Sequence, residues 1–150
     1  MTNTSRVVVD HIIDAPPRVV WDAVTDWPGQ SEWMLGTDVV TGHQGGEGVG
    51  GELEAFTGVG RFGVRDTMVI AEWDPPRRCV VQHTGRVVRG LGIIEVLAVP
   101  DDRSRLVWIE ELELPLGGVG RLSWPLARPA VAWGVRRSLR TLARSLESPS

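Results

Sequence analysis

Two side chains in this 150-residue sequence invite chemistry, one carboxylate and one imidazole. Glu110 stands in the run RLVWIEELEL. Read as a strand, one phase of that run carries Leu106, Trp108, Glu110, Leu112 and Leu114. The other phase carries Arg105, Val107, Ile109, Glu111 and Glu113 and ends in charges, which suits solvent. Glu110 therefore falls on the apolar face. A carboxylate buried there is costly unless it is paired or protonated. Desolvated carboxyl groups suit general acid/base work; the ordinary alternative is an arginine partner or a place near the sheet rim. His83 poses the same choice in CVVQHT, where Cys79, Val81 and His83 share one face. An imidazole titrating near neutrality could shuttle protons, or simply line a cavity with its hydrogen bonds satisfied. In RFGVRDTMVIAEW both phases are apolar beyond Thr67, so pattern alone gives Arg65 and Asp66 no face. An arginine at a cavity would suit a carboxylate or enolate. No acid and base form a local pair, so an active site here must be assembled from different strands.

Other motifs lose their chemistry in context. GVGRFG, from Gly58 to Gly63, is a literal G-x-G-x-x-G, but it runs into a strand instead of a helix. No helix N-terminus is there to hold a pyrophosphate, so it reads as a glycine-rich hairpin. The glycines at 45, 46, 48, 50 and 51 could form a phosphate nest, but read more simply as a hairpin loop. His11, His43 and His83 lack ligand spacing and Cys79 is the one cysteine, so neither a zinc site nor an internal disulfide is expected. No G-x-S-x-G elbow precedes a helix. Nothing calls for a cofactor or a metal.

Composition narrows the classes further. A net charge of −3 provides no field for nucleic acid. All 16 basic residues are arginine, which excludes a Schiff-base lysine and a lysine phosphate loop. The longest apolar stretch, LGIIEVLAVP, is short and broken by Glu95, so no integral membrane segment is expected. MTNTSRVVVDHIID lacks the build of a signal peptide, which makes a cytoplasmic setting the default.

The elements that must position these residues follow from periodicity. RVVVDHII is a β-branched strand. Pro17 opens a helix, Val20, Trp21 and Val24 share its face, and Pro28 and Gly29 end it. QSEWM adds a short helical turn. Six further strands follow between Met34 and Leu114, separated by the turn signals GGEGVGG, TGVG, DPP, TG and PDD. In the tail, Val131, Val135, Leu139, Leu142 and Leu146 fall within about 80° of a helical wheel. Arg136, Arg137, Arg140 and Arg144 lie opposite, on a face that is ordinarily solvated. Pro125 and Pro129 set the regular part of this helix from about Arg128, and ESPS at its end should fray. The layout is α+β in one domain, residues 1–150: about seven antiparallel strands, two short helices after the first and a long C-terminal helix.

IIDAPPRVVWDAVTDWPGQSEW resembles the opening of the START-like helix-grip (SRPBCC) proteins, in the polyketide cyclase/dehydrase-like branch. EWDPPRR resembles that branch's central turn, and RLVWIEELELPLGGVGRL with the arginine-rich helix resembles its ending. The resemblance covers nearly the whole chain. It implies a curved sheet gripping the last helix, with an apolar cavity between them for a small hydrophobic ligand, a lipid or polyketide-like molecule. The liners it implies are Trp33, Met34, Met68, Trp108 and Trp124, with Leu126 a further candidate. Trp21 and Trp27 are then core residues and Trp33 the ligand wall. Glu110 and His83 would orient a ligand's hydroxyl or carbonyl.

Two other readings stand beside a ligand carrier. A polyketide aromatase/cyclase or dehydratase would use the same cavity, with Glu110 or His83 taking a proton alpha to a carbonyl. A protein-interaction module would use the arginine face and Trp133. The sequence leaves the oligomeric state open.

Overall fold

The computed structural model describes residues 4–59, 62–85, 88–113 and 118–147. In chain order it has β1 (Thr4–Ile13), α1 (Pro17–Val24), β2 (Thr37–Thr41), β3 (Glu52–Val59), β4 (Phe62–Asp74), β5 (Arg78–Thr84), β6 (Arg89–Val99), β7 (Arg103–Glu113) and α2 (Gly118–Glu147). Short 3₁₀ turns at Pro28–Glu32 and His43–Gly46 flank β2. All neighbouring strands are antiparallel, in the order β1-β7-β6-β5-β4-β3-β2. Successive strands from β2 to β7 are therefore hairpin neighbours. One connection crosses the sheet, from β1 to β2 at the far edge, and it carries α1. The sheet is curled, and α2 lies against it in the helix-grip, α+β arrangement.

The α1 entry follows from its prolines. Pro16 is extended (φ −64°, ψ 154°), as a residue before proline should be, and Pro17 occupies the first turn, where an N–H has no partner to lose. Val20, Trp21 and Val24 are buried, and Trp21 meets Trp73 edge-on at 5.2 Å between ring centroids. The concave face is built by alternation: Val7 and Val9 of β1, Ile70 of β4, Cys79 and Val81 of β5, Ile94 and Val96 of β6, and Leu106 of β7 all join one core. Leu139, Leu142 and Ala143 of α2 are buried, Val131, Val135 and Leu146 are half-buried, and Arg136, Arg137, Arg140 and Arg144 are on the more open side of the helix. The amphipathic stripe expected of this helix is the one observed.

Two expectations change. The helix begins at Gly118, not near Arg128, and it runs through Pro125 and Pro129. Both prolines lie on the exposed side of the helix, away from its packed stripe. The outer face of the sheet is also less polar than its phase suggested. Val80, Ile93 and Ile109 sit side by side across β5, β6 and β7 and bury one another. Leu114, the tip residues Gly60 and Arg61 and the tail Ser148–Ser150 lie outside the described residues.

Trp21 is 2% exposed at the junction of α1 with the sheet. Its replacement by alanine should lower the free energy of unfolding by about 3–5 kcal/mol, measured by urea denaturation.

Candidate functional site

Sheet register decides which side chains meet. On β5, Cys79, Val81 and His83 point into the concave face; on β7, Leu106, Trp108 and Glu110 do. β6 lies between them. Strands spaced about 4.8 Å apart put β5 and β7 nearly 10 Å from each other, so a direct contact must pass over β6. The residue there is Gly92, paired with Val81 on one side and Glu110 on the other. A Cβ on Gly92 would stand 3.0 Å from Val81 Cγ2, 3.4 Å from His83 Nε2 and 3.5 Å from Glu110 Oε2. Any longer side chain would occupy the space through which His83 reaches Glu110.

His83 is held from both sides. Its Nδ1 lies 2.9 Å from the Asp66 carboxylate and its Nε2 lies 3.2 Å from Glu110 Oε2. The Trp108 indole donates to the other Glu110 oxygen at 2.9 Å. A neutral imidazole has one N–H and one bare nitrogen, and only the charged form donates to both carboxylates. Burial by itself would lower the imidazole pKa. The hydrogen bonds and charges of Asp66 and Glu110 outweigh it and raise the value from 6.5 to about 9. At neutral pH His83 is therefore an imidazolium, set between the carboxyl groups of Asp66 and Glu110. Cys79, on the same face, is chemically quiet, because burial first and Glu72 second push its thiol up to about 12.

The row forms part of the wall of a cavity of about 150 Å³ between sheet and helix. Trp27, Met34, Met68, Trp108 and Ala55 give it apolar walls, and Val135 closes it from α2. Gln30 is buried in the same wall and donates from its amide to the Val24 carbonyl at 2.9 Å. Trp27 is fixed by donating to the Gly46 carbonyl at 2.6 Å. Gly46 has φ +75°, and a Cβ there would strike the Trp27 ring at 2.6 Å, so this one glycine of the loop is required on both counts.

The structure brings Glu110 and His83 together and sets Met34, Met68 and Trp108 in the cavity wall. Trp33 and Trp124 stand elsewhere. The backbone turns at Trp33, whose N–H bonds to the Gln30 carbonyl, and Met34 faces the cavity instead. Trp33 is 7% exposed and packs edge-on behind Trp108 at 6.2 Å. Trp124 bonds to the Ser5 hydroxyl over β1. Leu126 is 83% exposed, and Arg65 points outward to Glu54 at 2.9 Å. The division of the tryptophans therefore changes: Trp27, expected in the core, is both buried and part of the cavity wall.

Asp66, Gly92 and Trp27 were the residues that pattern reading did not assign to the site. The pairing of β4 with β5 shifts between Ile70 and Glu72, so one extra residue separates two inward phases. Asp66, Met68 and Ile70 face inward before the bulge and Trp73 after it. That bulge is why both phases of the run look apolar.

Among the described residues, no cluster of His, Cys, Asp and Glu is arranged to hold a metal ion. No helix among them is long and apolar enough to cross a membrane. The family model described as polyketide cyclase/dehydrase and lipid transport matches residues 4–147. The chain belongs to this family. The resemblance carried by the sequence is thereby borne out. Solved structures agree on the fold. A Thermus thermophilus protein, TTHA0849, superposes with a TM-score of 0.80 at 20% identity, covering 95% of this chain and 97% of that one. The Zhui aromatase/cyclase of Streptomyces sp. R1128 gives 0.71 at 18% identity over 95% and 96%. The Aha1 dimer of Colwellia psychrerythraea gives 0.65 at 16% over 95% and 96%. None of the curated proteins matches in sequence.

The raised pKa of His83 carries a pH signature. The folded state holds its proton more tightly than the unfolded state, so the stabilisation is complete below pH 6.5 and is lost as pH rises through about 9. Urea unfolding from pH 6.5 to 9 should show a declining free energy for the natural protein. His83→Gln should remove that part of the decline.

Proposed function

We propose that this chain binds a small hydrophobic molecule, lipid-like or polyketide-like, in the cavity between sheet and α2. The observation that supports it most is the cavity itself: apolar walls from Trp27, Met34, Met68 and Trp108 around one charged cluster. Apolar walls with a few convergent polar groups are the usual make-up of small-molecule sites. A space of this volume holds about one benzene-sized ring. A single ring, or the end of a chain whose remainder leaves through the mouth, therefore fills it. Membership of a polyketide cyclase/dehydrase and lipid transport family supports the same ligand class.

A second reading, an aromatase/cyclase or dehydratase, draws on the charged row. Acid and base stand in contact inside an apolar space, as proton transfer needs. In that reading His83 is not the base, since its proton stays on until about pH 9. Glu110 or Asp66 takes a proton from the ligand, and the imidazolium balances the charge that develops.

Native mass spectrometry of the protein purified from its own host tests the first reading. The expected spectrum shows a bound small molecule. Ala55→Leu, which adds bulk to the cavity wall, should return the apo mass with the circular dichroism unchanged. An apo mass for the natural protein, with no apolar compound taken up on addition, would count against it. Turnover of the bound molecule that disappears in Glu110→Gln while its mass is retained would favour the second reading.

A further inference from the structure

The hydrogen-bonding polarity of the charged cluster says more about the ligand than the cavity volume does. Three N–H groups point at it: Nδ1 and Nε2 of His83 and Nε1 of Trp108. All three end on the two carboxylates of Asp66 and Glu110. No N–H of this cluster is left for a ligand. What remains is lone pairs: a carboxylate accepts at about four sites, and Glu110 and Asp66 each use only some of theirs within the cluster. Both carboxylates stay 17% exposed, against 5% for the His83 side chain. A molecule in the cavity therefore meets carboxylate oxygen before it meets the imidazole. The Trp27 indole, the other N–H of the aromatic wall, is spent on the Gly46 carbonyl.

We propose that this charged cluster selects ligands by a hydrogen-bond donor. The class is an apolar molecule with a ring of about benzene size that carries a hydroxyl or ammonium group, which donates to Glu110 or Asp66. Carbonyl and carboxylate compounds of the same size are disfavoured, because they bring acceptors to a cluster of acceptors. This inference rests on the ligand-binding reading above and sharpens it: the hydroxyl of a phenol or alcohol is held, and a bare ketone is not.

The geometry also explains why the cluster is rigid enough to discriminate. Gly92 keeps the path between His83 and Glu110 clear, and Trp108 pins the second Glu110 oxygen. At this cluster a carbonyl ligand could gain an N–H only by breaking one of those bonds and leaving a buried carboxylate less satisfied. A hydroxyl ligand breaks none.

Isothermal titration calorimetry with four probes of similar size tests this: p-cresol, toluene, acetophenone and benzoate at pH 7. The expected order puts p-cresol at least about tenfold tighter than toluene and acetophenone, with benzoate weakest. Glu110→Gln and, separately, Asp66→Asn should each shrink the p-cresol preference, and two variants guard against one failing to fold. Equal binding of p-cresol, toluene and acetophenone would overturn donor selection while leaving the apolar cavity reading intact. Tighter binding of acetophenone or benzoate than of p-cresol would overturn it as well. No binding of any of the four would overturn both readings.

Discussion

A charged imidazole buried between two carboxylates is the constraint around which the rest of the concave face is arranged. Removing charges from water is expensive, and a buried cluster survives only where geometry and added hydrogen bonds offset the loss. Here the compensation is specific. Asp66 comes from β4, His83 from β5 and Glu110 from β7, and Trp108 supplies one more donor. The cluster spans four strands, so it exists only when the whole centre of the sheet is in register. Its one structural permission is Gly92, on the strand between.

Such a cluster gives stability sparingly, so most of the folding free energy must come from elsewhere. That source is the apolar core on either side: Trp21, Val20 and Val24 of α1 against Trp73 and the sheet, and Leu139 and Leu142 of α2. The helix is also tied down by polar contacts. Ser138 accepts from the Leu35 N–H and donates to the Gly134 carbonyl, and Glu147 accepts from the Asp14 N–H. These contacts fix α2 at both ends of its packed half, and so fix the cavity roof at Val135. The concave face is thus given its character by a few side chains on a shared fold, which fits the general separation of fold from function.

Much of this was legible in the sequence. The α+β order, the seven strands and the inward phase of β7 with Glu110 followed from periodicity and turn signals, and the helix-grip arrangement was implied by the resemblance that IIDAPPRVVWDAVTDWPGQSEW and EWDPPRR carry. The place of His83 on the face of Cys79 and Val81 followed from periodicity too. What was not legible has physical causes. The bulge near Ala71 hid the inward place of Asp66, because one extra residue reverses the phase. Gly92 carries no side chain, so no pattern marks it; its importance is the space it leaves. The wall position of Trp27 depends on a turn and on the Gly46 carbonyl, a contact 19 residues away in sequence. The early start of α2 depends on which way two prolines face, which helical spacing without a partner surface does not reveal.

The central claim is that His83 is an imidazolium at neutral pH, donating to both carboxylates. Nitrogen-15 NMR of histidine-labelled protein at pH 7, with His83→Gln assigning the signal by its loss, tests this most directly. The account predicts that both His83 ring nitrogens carry protons and shift as a charged ring does. A spectrum with one protonated and one bare nitrogen, the pattern of a neutral tautomer, would contradict it.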